Sequence, residues 1–249
     1  MTVVKVGVVL PAGGLGKRIG GPLPKQLLEI GGIPVWLHAL RAFSLNPLIA
    51  EVALVCPADW RSRFEAELVR EAERNPSARP VRLAVGGAER WISVRNGVRA
   101  LSPEIEHVLV HDVARPFVSA AIVRACAAAA ARGESFLVAK PCVDTVKRAS
   151  ASGAVAGTVD RSELRLAQTP QGFPRAKLES WYAELERAGA GSGSFVPTDE
   201  ASIAERFGQE VRFVEGDAFN DKITLPGDLE RFEAFWKAGL LQNRTEEKA

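Results

Sequence analysis

With 249 residues, of which 47% are hydrophobic and 25% are charged, the chain has the composition of a globular protein with one large domain. Its 32 basic and 30 acidic side chains leave a net charge of +2, too small to indicate a nucleic-acid or membrane surface. No apolar run approaches the roughly 20 residues of a membrane span, and no signal peptide is recognisable. We therefore expect a cytoplasmic protein without nucleic-acid or membrane partners.

Strands and helices alternate along most of the chain. The apolar runs predict strands at Val3–Leu10, Glu51–Cys56, Val81–Val85, His107–Val110, Ser135–Ala139 and Glu210–Val214. Helical patterns lie at Pro34–Ser44, Arg61–Arg74, Glu89–Leu101, Ser119–Arg132, Arg175–Ala188, Asp199–Phe207 and Gly227–Lys237. Alternation of this kind implies right-handed crossovers. It predicts an α/β fold, a single Rossmann-like domain over residues 1–249, with a mainly parallel twisted sheet flanked by helices.

Residues 142–168 interrupt this alternation. Two short extended runs, Val143–Arg148 and Val155–Val159, flank a turn at residues 151–153 and predict a β-hairpin. An isolated hairpin is barely stable in water, so it must lie on its own domain or on a partner subunit. We expect residues 142–168 to form a protruding β-hairpin arm within the single domain.

The cysteines and histidines do not indicate a metal centre. Cys56, Cys126 and Cys142 lie far apart and contain no Cys-x-x-Cys pair, so we interpret them as small buried side chains in a reducing compartment. The three histidines, at positions 38, 107 and 111, also lack the spacing of zinc ligands.

A glycine-rich loop, Pro11–Arg18, follows the first strand. Ligands of open parallel sheets bind outside the carboxyl ends of the strands. Glycines at such a place let backbone N–H groups approach phosphate oxygens, and Lys17 and Arg18 add positive charge. The structural alternative is a strand-to-helix turn that needs glycine only for its backbone conformation.

Two common nucleotide-binding loops do not match this stretch. The P-loop pattern fails because Gly16-Lys17 is followed by Arg18 instead of Ser or Thr. The dinucleotide fingerprint fails because Ile19 stands at the third glycine position, and Pro22 and Pro24 fall where a helix interior belongs. An NAD-dependent dehydrogenase is therefore excluded, and the phosphates need a different cradle.

Pro11–Arg18, followed by Pro24-Lys25-Gln26, resembles the signature of the nucleotidyltransferases that activate sugars and polyols. Seven further segments follow in order: Gly86–Arg90, Val110–Pro116, Asp144–Lys147, Thr158–Arg161, Thr169–Gln171, Thr198–Glu200 and Asn220–Lys222. Across nearly the whole chain, the set resembles the 2-C-methyl-D-erythritol 4-phosphate cytidylyltransferase family.

That resemblance implies transfer of CMP from CTP to 2-C-methyl-D-erythritol 4-phosphate. The products are pyrophosphate and 4-diphosphocytidyl-2-C-methyl-D-erythritol, an intermediate of non-mevalonate isoprenoid synthesis. Because two anions must meet at the α-phosphorus, catalysis depends on positioning and electrostatic stabilisation. The resemblance also implies Mg²⁺ as a cofactor that screens the CTP phosphates.

The resemblance further assigns roles to individual residues. The catalytic residues would be Arg18 and Lys25. The nucleotide would be bound by Pro11, Ala12, Gly13, Gly14, Gly16, Lys17, Gly86, Gly87, Arg90 and Ser93. The substrate would be bound by Asp112, Arg115, Thr145, Arg161, Thr169 and Lys222, and Asp112 would also bind the metal.

The family resemblance makes the arm a dimerisation element. It implies a homodimer with arm exchange, in which Thr145 and Arg161 reach the substrate phosphate of the neighbouring subunit. Arg161 suits this role because its planar guanidinium can engage two phosphate oxygens.

Structural alternatives stay open for several residues. Arg90 could be a charge at a helix start, Asp112 could pair with Arg115 to shape a turn, and Thr198 could cap a helix. The chain also departs from the family pattern at three positions: Ala88 stands where an acidic residue is frequent, Val113 stands where Ala is common, and Asp221 stands where an apolar residue is usual. We expect the small change at Val113 to be tolerated.

Rival functions share part of this pattern. A ribitol 5-phosphate cytidylyltransferase has the same loop and the same region around Asp112, and a methyl group discriminates substrates by only ~1–3 kcal/mol. A uridylyl- or guanylyltransferase is disfavoured by Gly86–Arg90 and by the arm. A catalytically idle nucleotide-binding regulator is disfavoured because Arg18 and Lys25 are both present.

Overall fold

The structure is a computed structural model that describes residues 4–13, 24–189, 195–242 and 244. The strands are β1 Val6–Pro11, β2 Glu29–Ile30, β3 Ile33–Pro34, β4 Glu51–Cys56, β5 Val81–Val85, β6 His107–Val110, β7 Phe136–Pro141, β8 Val146–Ala149, β9 Val155–Val159, β10 Arg165–Pro174 and β11 Arg212–Glu215. The helices are α1 Val35–Ser44, α2 Arg61–Arg74, α3 Arg90–Ala100, α4 Ala120–Ala131, α5 Arg175–Arg187, α6 Glu200–Arg206 and α7 Pro226–Lys237.

A seven-stranded sheet with the order β11-β7-β10-β6-β1-β4-β5 forms the centre of the fold. The pairs β1–β4, β1–β6, β4–β5 and β7–β11 are parallel, and β10 is antiparallel to both of its neighbours. Six strands therefore run in one direction and β10 runs in the other. The prediction of an α/β fold with a mainly parallel sheet is confirmed.

Side chains of β1 alternate between two hydrophobic layers. Val8 and Leu10 pack on one face with Trp36 and Phe43 of α1, whereas Val9 packs on the other face with Val94 of α3. A strand that is buried on both faces needs an unbroken apolar run, and β1 has one. The sheet is thus a middle layer between two helical layers, and among the described residues its carboxyl edge stays open.

A third, smaller cluster lies at that open edge. Phe232 of α7 packs with Ile30 of β2, with Phe117 and with Ile223. Ile223 is completely buried and directly follows Lys222 in sequence, so its packing fixes the backbone from which the Lys222 side chain extends. In the part of the chain that the structure describes, no helix is long and apolar enough to cross a membrane.

The sequence did not predict β10, which pairs with β6 and β7 in the centre of the sheet. Its middle contains the motif Thr169-Pro170-Gln171, where the apolar pattern predicts no strand. Proline cannot donate to a strand ladder and ordinarily argues against a central strand. Here the pairing register shifts between Ala167 and Gln171, so Pro170 falls at the irregularity where the ladder is interrupted.

The predicted hairpin is present. Strands β8 and β9 pair antiparallel in a two-stranded sheet of their own, and Gly153 in the connecting turn has a φ of +82°. That conformation favours glycine. The observed β9 matches the prediction, whereas β8 begins three residues later than expected because residues 143–145 are not paired.

Replacing His107 should make stability less sensitive to acid. His107 is the first residue of β6 and is 2% exposed. Its ring stacks on Phe136, and its Nε2 atom has no hydrogen-bond partner among the described residues. Burial lowers the pKa of His107 to about 4. Between pH 6.5 and 4 the unfolded chain therefore binds a proton that the folded chain excludes, and stability falls as the pH falls.

As the pH falls through this window, the free energy of unfolding of the His107→Leu variant should decrease by up to about 1.4 kcal/mol less per pH unit than that of the wild type. Urea unfolding at pH 7, 6 and 5 measures this difference. His111, with a pKa also lowered to about 4, keeps its own contribution in both proteins. Identical pH slopes would contradict the assignment of a neutral His107 in the folded state.

Candidate functional site

A cavity of about 410 Å³ opens at the carboxyl ends of β1 and β6. The chain leaves β1 to form β4 on one side and later returns to form β6 on the other, so β1 marks the topological switch point of the sheet. The cavity is lined by Pro11, Gly13, Lys25, Gln26, Gly87, Ala88, Glu89, Arg90, Ser93, Asp112, Val113, Ala114 and Lys222.

Asp112 is the charged centre of the cavity. Its Oδ2 atom lies 2.5 Å from Nζ of Lys222, and its Oδ1 atom lies 3.1 Å from Nη2 of Arg90. Only 14% of the side chain is exposed. Burial raises the pKa of Asp112, but the nearby charges of Arg90 and Lys222 outweigh it and hold that pKa well below its usual range. The carboxylate is therefore ionised at any physiological pH.

Arg90 bridges Asp112 and a second carboxylate, that of Glu200. Its Nη1 atom donates to Oε1 and Oε2 of Glu200 at 2.9 and 2.8 Å. Burial alone would lower the pKa of Arg90, but the two carboxylates raise it above its usual value. Arg90 is the first residue of α3, as the structural alternative proposed, and it also lines the cavity.

A hydrogen-bonded chain holds the backbone of Asp112. The Asp112 N–H donates to Oγ1 of Thr169 at 3.2 Å, and Oγ1 lies 3.0 Å from Nδ1 of His111. The other ring nitrogen of His111 lies 2.9 Å from the carbonyl oxygen of Arg115. Since a carbonyl only accepts, Nε2 carries the proton of the neutral ring and Nδ1 accepts from the Thr169 hydroxyl. Thr169 thus shapes the wall without lining the cavity.

The segment Gly86–Ser93 forms the opposite wall. Gly86 N–H donates to the carbonyl of Cys56 at the end of β4, and Gly87 N–H donates to Oγ of Ser93 at 3.0 Å. The Ser93 hydroxyl in turn donates to the carbonyl of Glu89 at 3.2 Å. These bonds curl the backbone around the start of α3. Ala88 lies on this curl and lines the cavity with its methyl group.

Lys25 and Gln26 approach the cavity from a short 3₁₀ turn. The Nζ atom of Lys25 donates to the carbonyl of Ile223 at 3.1 Å, and Nε2 of Gln26 donates to the carbonyl of Ala12 at 2.5 Å. The loop after β1 and the segment before α7 are thus joined across the cavity. The predicted nucleotide-binding residues Gly14, Gly16 and Lys17 and the predicted catalytic residue Arg18 lie outside the described residues.

Besides Thr169, three predicted substrate-binding residues do not line the cavity. Thr145 and Arg161 are exposed on the arm, where Arg161 donates to the carbonyl of Val143. Arg115 donates to the carbonyls of Asn220 and Ala167, at 2.8 and 3.1 Å. The side chains of Asp112 and Arg115 form no ion pair, because the cations on the Asp112 carboxylate are Arg90 and Lys222. The two residues do close a turn through the backbone, since the Arg115 N–H donates to the Asp112 carbonyl at 2.9 Å.

The structure accounts for the Asp221 departure and decides the Thr198 alternative. Asp221 forms an ion pair with Lys140 at 2.6 Å, so a charged residue fits the position next to Lys222. Helix α6 is capped by Asp199, whose side chain accepts from the N–H of Ser202, and not by Thr198.

Sequence reasoning missed Gln26 and Glu200 as parts of the site. Both were present in the motifs that carried the resemblance, Pro24-Lys25-Gln26 and Thr198-Asp199-Glu200. Their position in those motifs was the available signal. Their partners could not be foreseen, since Glu200 lies 110 residues from Arg90.

Comparison with known proteins agrees with this geometry. Residues 6–238 match the family model of 2-C-methyl-D-erythritol 4-phosphate cytidylyltransferase. The enzyme of that name from Bacillus cereus is 39% identical over 228 residues, which cover 92% of this chain and 96% of the relative. The chain belongs to the 2-C-methyl-D-erythritol 4-phosphate cytidylyltransferase family.

Solved structures of this cytidylyltransferase family share the fold. The 4-diphosphocytidyl-2C-methyl-D-erythritol synthase from Anaerococcus prevotii superposes with a TM-score of 0.79 at 26% identity, covering 94% of this chain and 96% of its own. The cytidylyltransferase from Thermus thermophilus superposes with a TM-score of 0.70 at 33% identity, covering 94% of this chain and all of its own. The family resemblance predicted from the motifs is therefore confirmed, and the chain is a nucleotidyltransferase.

Replacing Gly87 with alanine should destabilise the cavity wall. A Cβ atom at Gly87 would lie 2.1 Å from Cγ2 and 2.7 Å from Cβ of Ile92, so rotation of one side chain cannot relieve the clash. We expect a loss of about 1–3 kcal/mol in the free energy of unfolding. In Gly227→Ala, the matched control, the new methyl group meets no atom within 4 Å, and stability should be unchanged or higher by up to about 1 kcal/mol. Urea unfolding compares the two, and equal stabilities would show that the wall is not tightly packed.

Proposed function

We propose that this chain transfers CMP from CTP to 2-C-methyl-D-erythritol 4-phosphate in the cavity around Asp112. Membership of the cytidylyltransferase family supports the reaction. The observation that supports the place is the Asp112 carboxylate, which is held between Arg90 and Lys222 at the switch point of the sheet.

The charges of the cavity suit a reaction between two phosphates. Lys25, Arg90 and Lys222 bring three cations to the lining, and Asp112 and Glu89 bring two carboxylates. If the anionic substrate binds the ammonium group of Lys222, Oδ2 of Asp112 loses its present partner and can accept a hydrogen bond from a polyol hydroxyl. We assign Lys222 and Asp112 to the methylerythritol phosphate on this basis. Arg115 and Thr169 support that site through the backbone contacts described above.

We assign Pro11, Ala12, Gly13, Gly86, Gly87, Arg90 and Ser93 to CTP, and the sequence motif adds Gly14, Gly16, Lys17 and Arg18. The bond from the Gly87 N–H to Ser93 curls this backbone, which lines the cavity, and its remaining N–H and C=O groups can match the edge of a cytosine ring. Because the backbone would read the base, the methyl group of Ala88 does not prevent recognition.

Lys25 and Arg18 are assigned to the transfer step. The polyol phosphate oxygen attacks the α-phosphorus of CTP, the bond to the β-phosphate breaks, and pyrophosphate leaves with the bonding electron pair. Negative charge grows on the equatorial oxygens of the α-phosphate. Lys25 lines the cavity between the loop after β1 and Ile223, where its ammonium group can stabilise that charge.

Mg²⁺ fits the donor chemistry of this cavity. Among the described residues, no three His, Cys, Asp or Glu side chains converge on one point, but Mg²⁺ in nucleotide sites typically needs only one or two carboxylates beside the substrate phosphates. Asp112 is the residue that would hold it. The ion would supply screening of the triphosphate charge.

We further propose that the chain is a single domain over residues 1–249, and that its 142–168 arm exchanges between two subunits of a homodimer. The arm carries apolar side chains in the open, with Val143 73% and Val155 70% exposed. Thr145 and Arg161 do not line the cavity of their own chain, so a second subunit gives them a substrate to contact. A cytoplasmic location is supported by the three free, buried cysteines, which suit a reducing compartment.

Pyrophosphate release should require CTP. We expect release with CTP, methylerythritol phosphate and Mg²⁺ to exceed release with UTP, ATP or GTP by at least tenfold, because each backbone group left unpaired by the wrong base costs about 1–3 kcal/mol. A coupled pyrophosphate assay measures all four triphosphates against methylerythritol phosphate and, in parallel, ribitol 5-phosphate.

Each outcome of this assay distinguishes among the candidate functions. Equal rates with CTP and UTP would contradict base recognition by the Gly86–Ser93 segment. A preference for ribitol 5-phosphate would replace the proposed substrate. No release with any pair would favour a nucleotide-binding regulator.

Two inactive variants should complement each other if the arm serves the neighbouring subunit. We expect Lys25→Ala to lower kcat by a factor on the order of 10²–10³, which is typical for loss of one transition-state donor, and Arg161→Ala also to be severely impaired. When equal amounts exchange subunits at random, half of the dimers are mixed, and each mixed dimer has one site with both lesions and one with neither. About a quarter of all sites should then regain full activity.

The control is the same subunit-exchange treatment applied to each variant alone, and sedimentation measures the oligomeric state. If Arg161 serves its own subunit, every site in the mixture stays damaged and no activity returns. A monomer in sedimentation would also contradict the proposal.

A further inference from the structure

Glu200 is a buried carboxylate next to the cavity that does not line it. Its side chain is 0% exposed, and both of its oxygens accept from one nitrogen, Nη1 of Arg90. The other terminal nitrogen of Arg90 donates to Asp112 inside the cavity. One guanidinium thus connects a carboxylate that faces ligands with one that is sealed in the protein.

The backbone of Glu200 is held rigidly. Gln171 of β10 accepts from the N–H of Ala201 at 2.9 Å and donates to Asp199 at 2.8 Å, so the first turn of α6 is fixed to the central sheet. Asp199 and Ser202 complete a capping box on the same turn. A carboxylate on such a support has little freedom to follow Arg90 elsewhere.

The contact of both Glu200 oxygens with Nη1 has two physical consequences for Arg90. It fixes the direction of a long, flexible side chain, whose rotamers would otherwise have to be ordered by the ligand. It also neutralises a charge that would otherwise fall wholly on Asp112. Burial raises the pKa of Glu200, and the neighbouring charge of Arg90 opposes that rise. With Glu200 ionised, Arg90, Lys222, Asp112 and Glu200 together carry two positive and two negative charges.

We propose that Glu200 is a positioning residue of the transfer site, which sets the guanidinium of Arg90 in the orientation that receives CTP beside Asp112. This inference rests on the proposed function. It adds a residue that makes no contact with the cavity, and it predicts that the effect of Glu200 is exerted through Arg90.

Glu200→Gln removes the charge and one of the two accepting oxygens while keeping the shape. We expect kcat/KM for CTP to fall about 10- to 100-fold, with a raised KM for CTP, since the guanidinium is no longer held in place. If this variant does not fold, Glu200→Asp keeps the charge but withdraws the carboxylate by one methylene, and it should shift the KM for CTP in the same direction.

Glu71→Gln is the matched control. Glu71 is also a buried carboxylate whose two oxygens accept from one arginine, since Nε and Nη2 of Arg41 donate to it at 2.7 Å each. Neither Glu71 nor Arg41 lines the cavity. The Glu71→Gln substitution should lower the melting temperature as Glu200→Gln does, but it should leave the KM for CTP at the wild-type value. A purely structural role for Glu200 would give the same pattern as Glu71, with less active enzyme and an unchanged KM, and would overturn the proposal.

A double-variant comparison tests whether Glu200 acts through Arg90. Arg90→Met with Glu200→Leu replaces the buried pair by apolar side chains of similar size, a change that folded proteins often tolerate. We expect its kcat/KM to lie within about twofold of Arg90→Met alone, because Glu200 has nothing left to orient. A double variant at least tenfold worse than Arg90→Met would overturn the proposal.

The wild-type protein separates failure of this inference from failure of the proposed function. If the wild type releases no pyrophosphate from CTP and methylerythritol phosphate, the proposed function is wrong. If the wild type is active and the Glu200 variants keep its KM for CTP, only the positioning role is wrong.

Discussion

The Asp112 carboxylate is the constraint on which the candidate site depends. A carboxylate that is largely removed from water is stable only when cations and hydrogen bonds replace the lost hydration. Arg90 from α3 and Lys222 from the segment before α7 supply the charges, and Thr169 from β10 fixes the backbone. Glu200 from α6 balances Arg90. One buried charge therefore brings four separate segments to the open edge of the sheet.

The central sheet makes this convergence possible. Because β1 stands between β6 and β4, the segments that follow these three strands meet at one edge of the sheet. The reversed strand β10 contributes differently, since it reaches the site through the Thr169 and Gln171 side chains beside an interruption of its ladder. The candidate site of this chain is thus built on a mainly parallel sheet with one strand that runs in the opposite direction.

The arm and the cavity are stabilised in different ways. The cavity residues are held by buried ion pairs and hydrogen bonds within one chain, and the arm is a two-stranded hairpin with most of its side chains in the open. A hairpin of that size is marginal by itself in water. Its contribution to a site therefore depends on what it packs against, and the contacts of Thr145 and Arg161 within one chain do not include the cavity.

The fold class, the family and most of the strands and helices could be predicted from the sequence, because these depend on local hydrophobic periodicity and on ordered short motifs. It also indicated Lys25, Asp112 and Lys222, whose chemistry is recognisable from residue type and context. It could not reveal β10, whose proline contradicts local strand propensity, because the pairing with β6 and β7 outweighs that preference. Nor could it show that Asp112 pairs with Arg90 and Lys222 instead of the neighbouring Arg115. Ion pairing depends on distance in space, and only the tertiary structure decides which charges, more than a hundred residues apart in sequence, share one buried site.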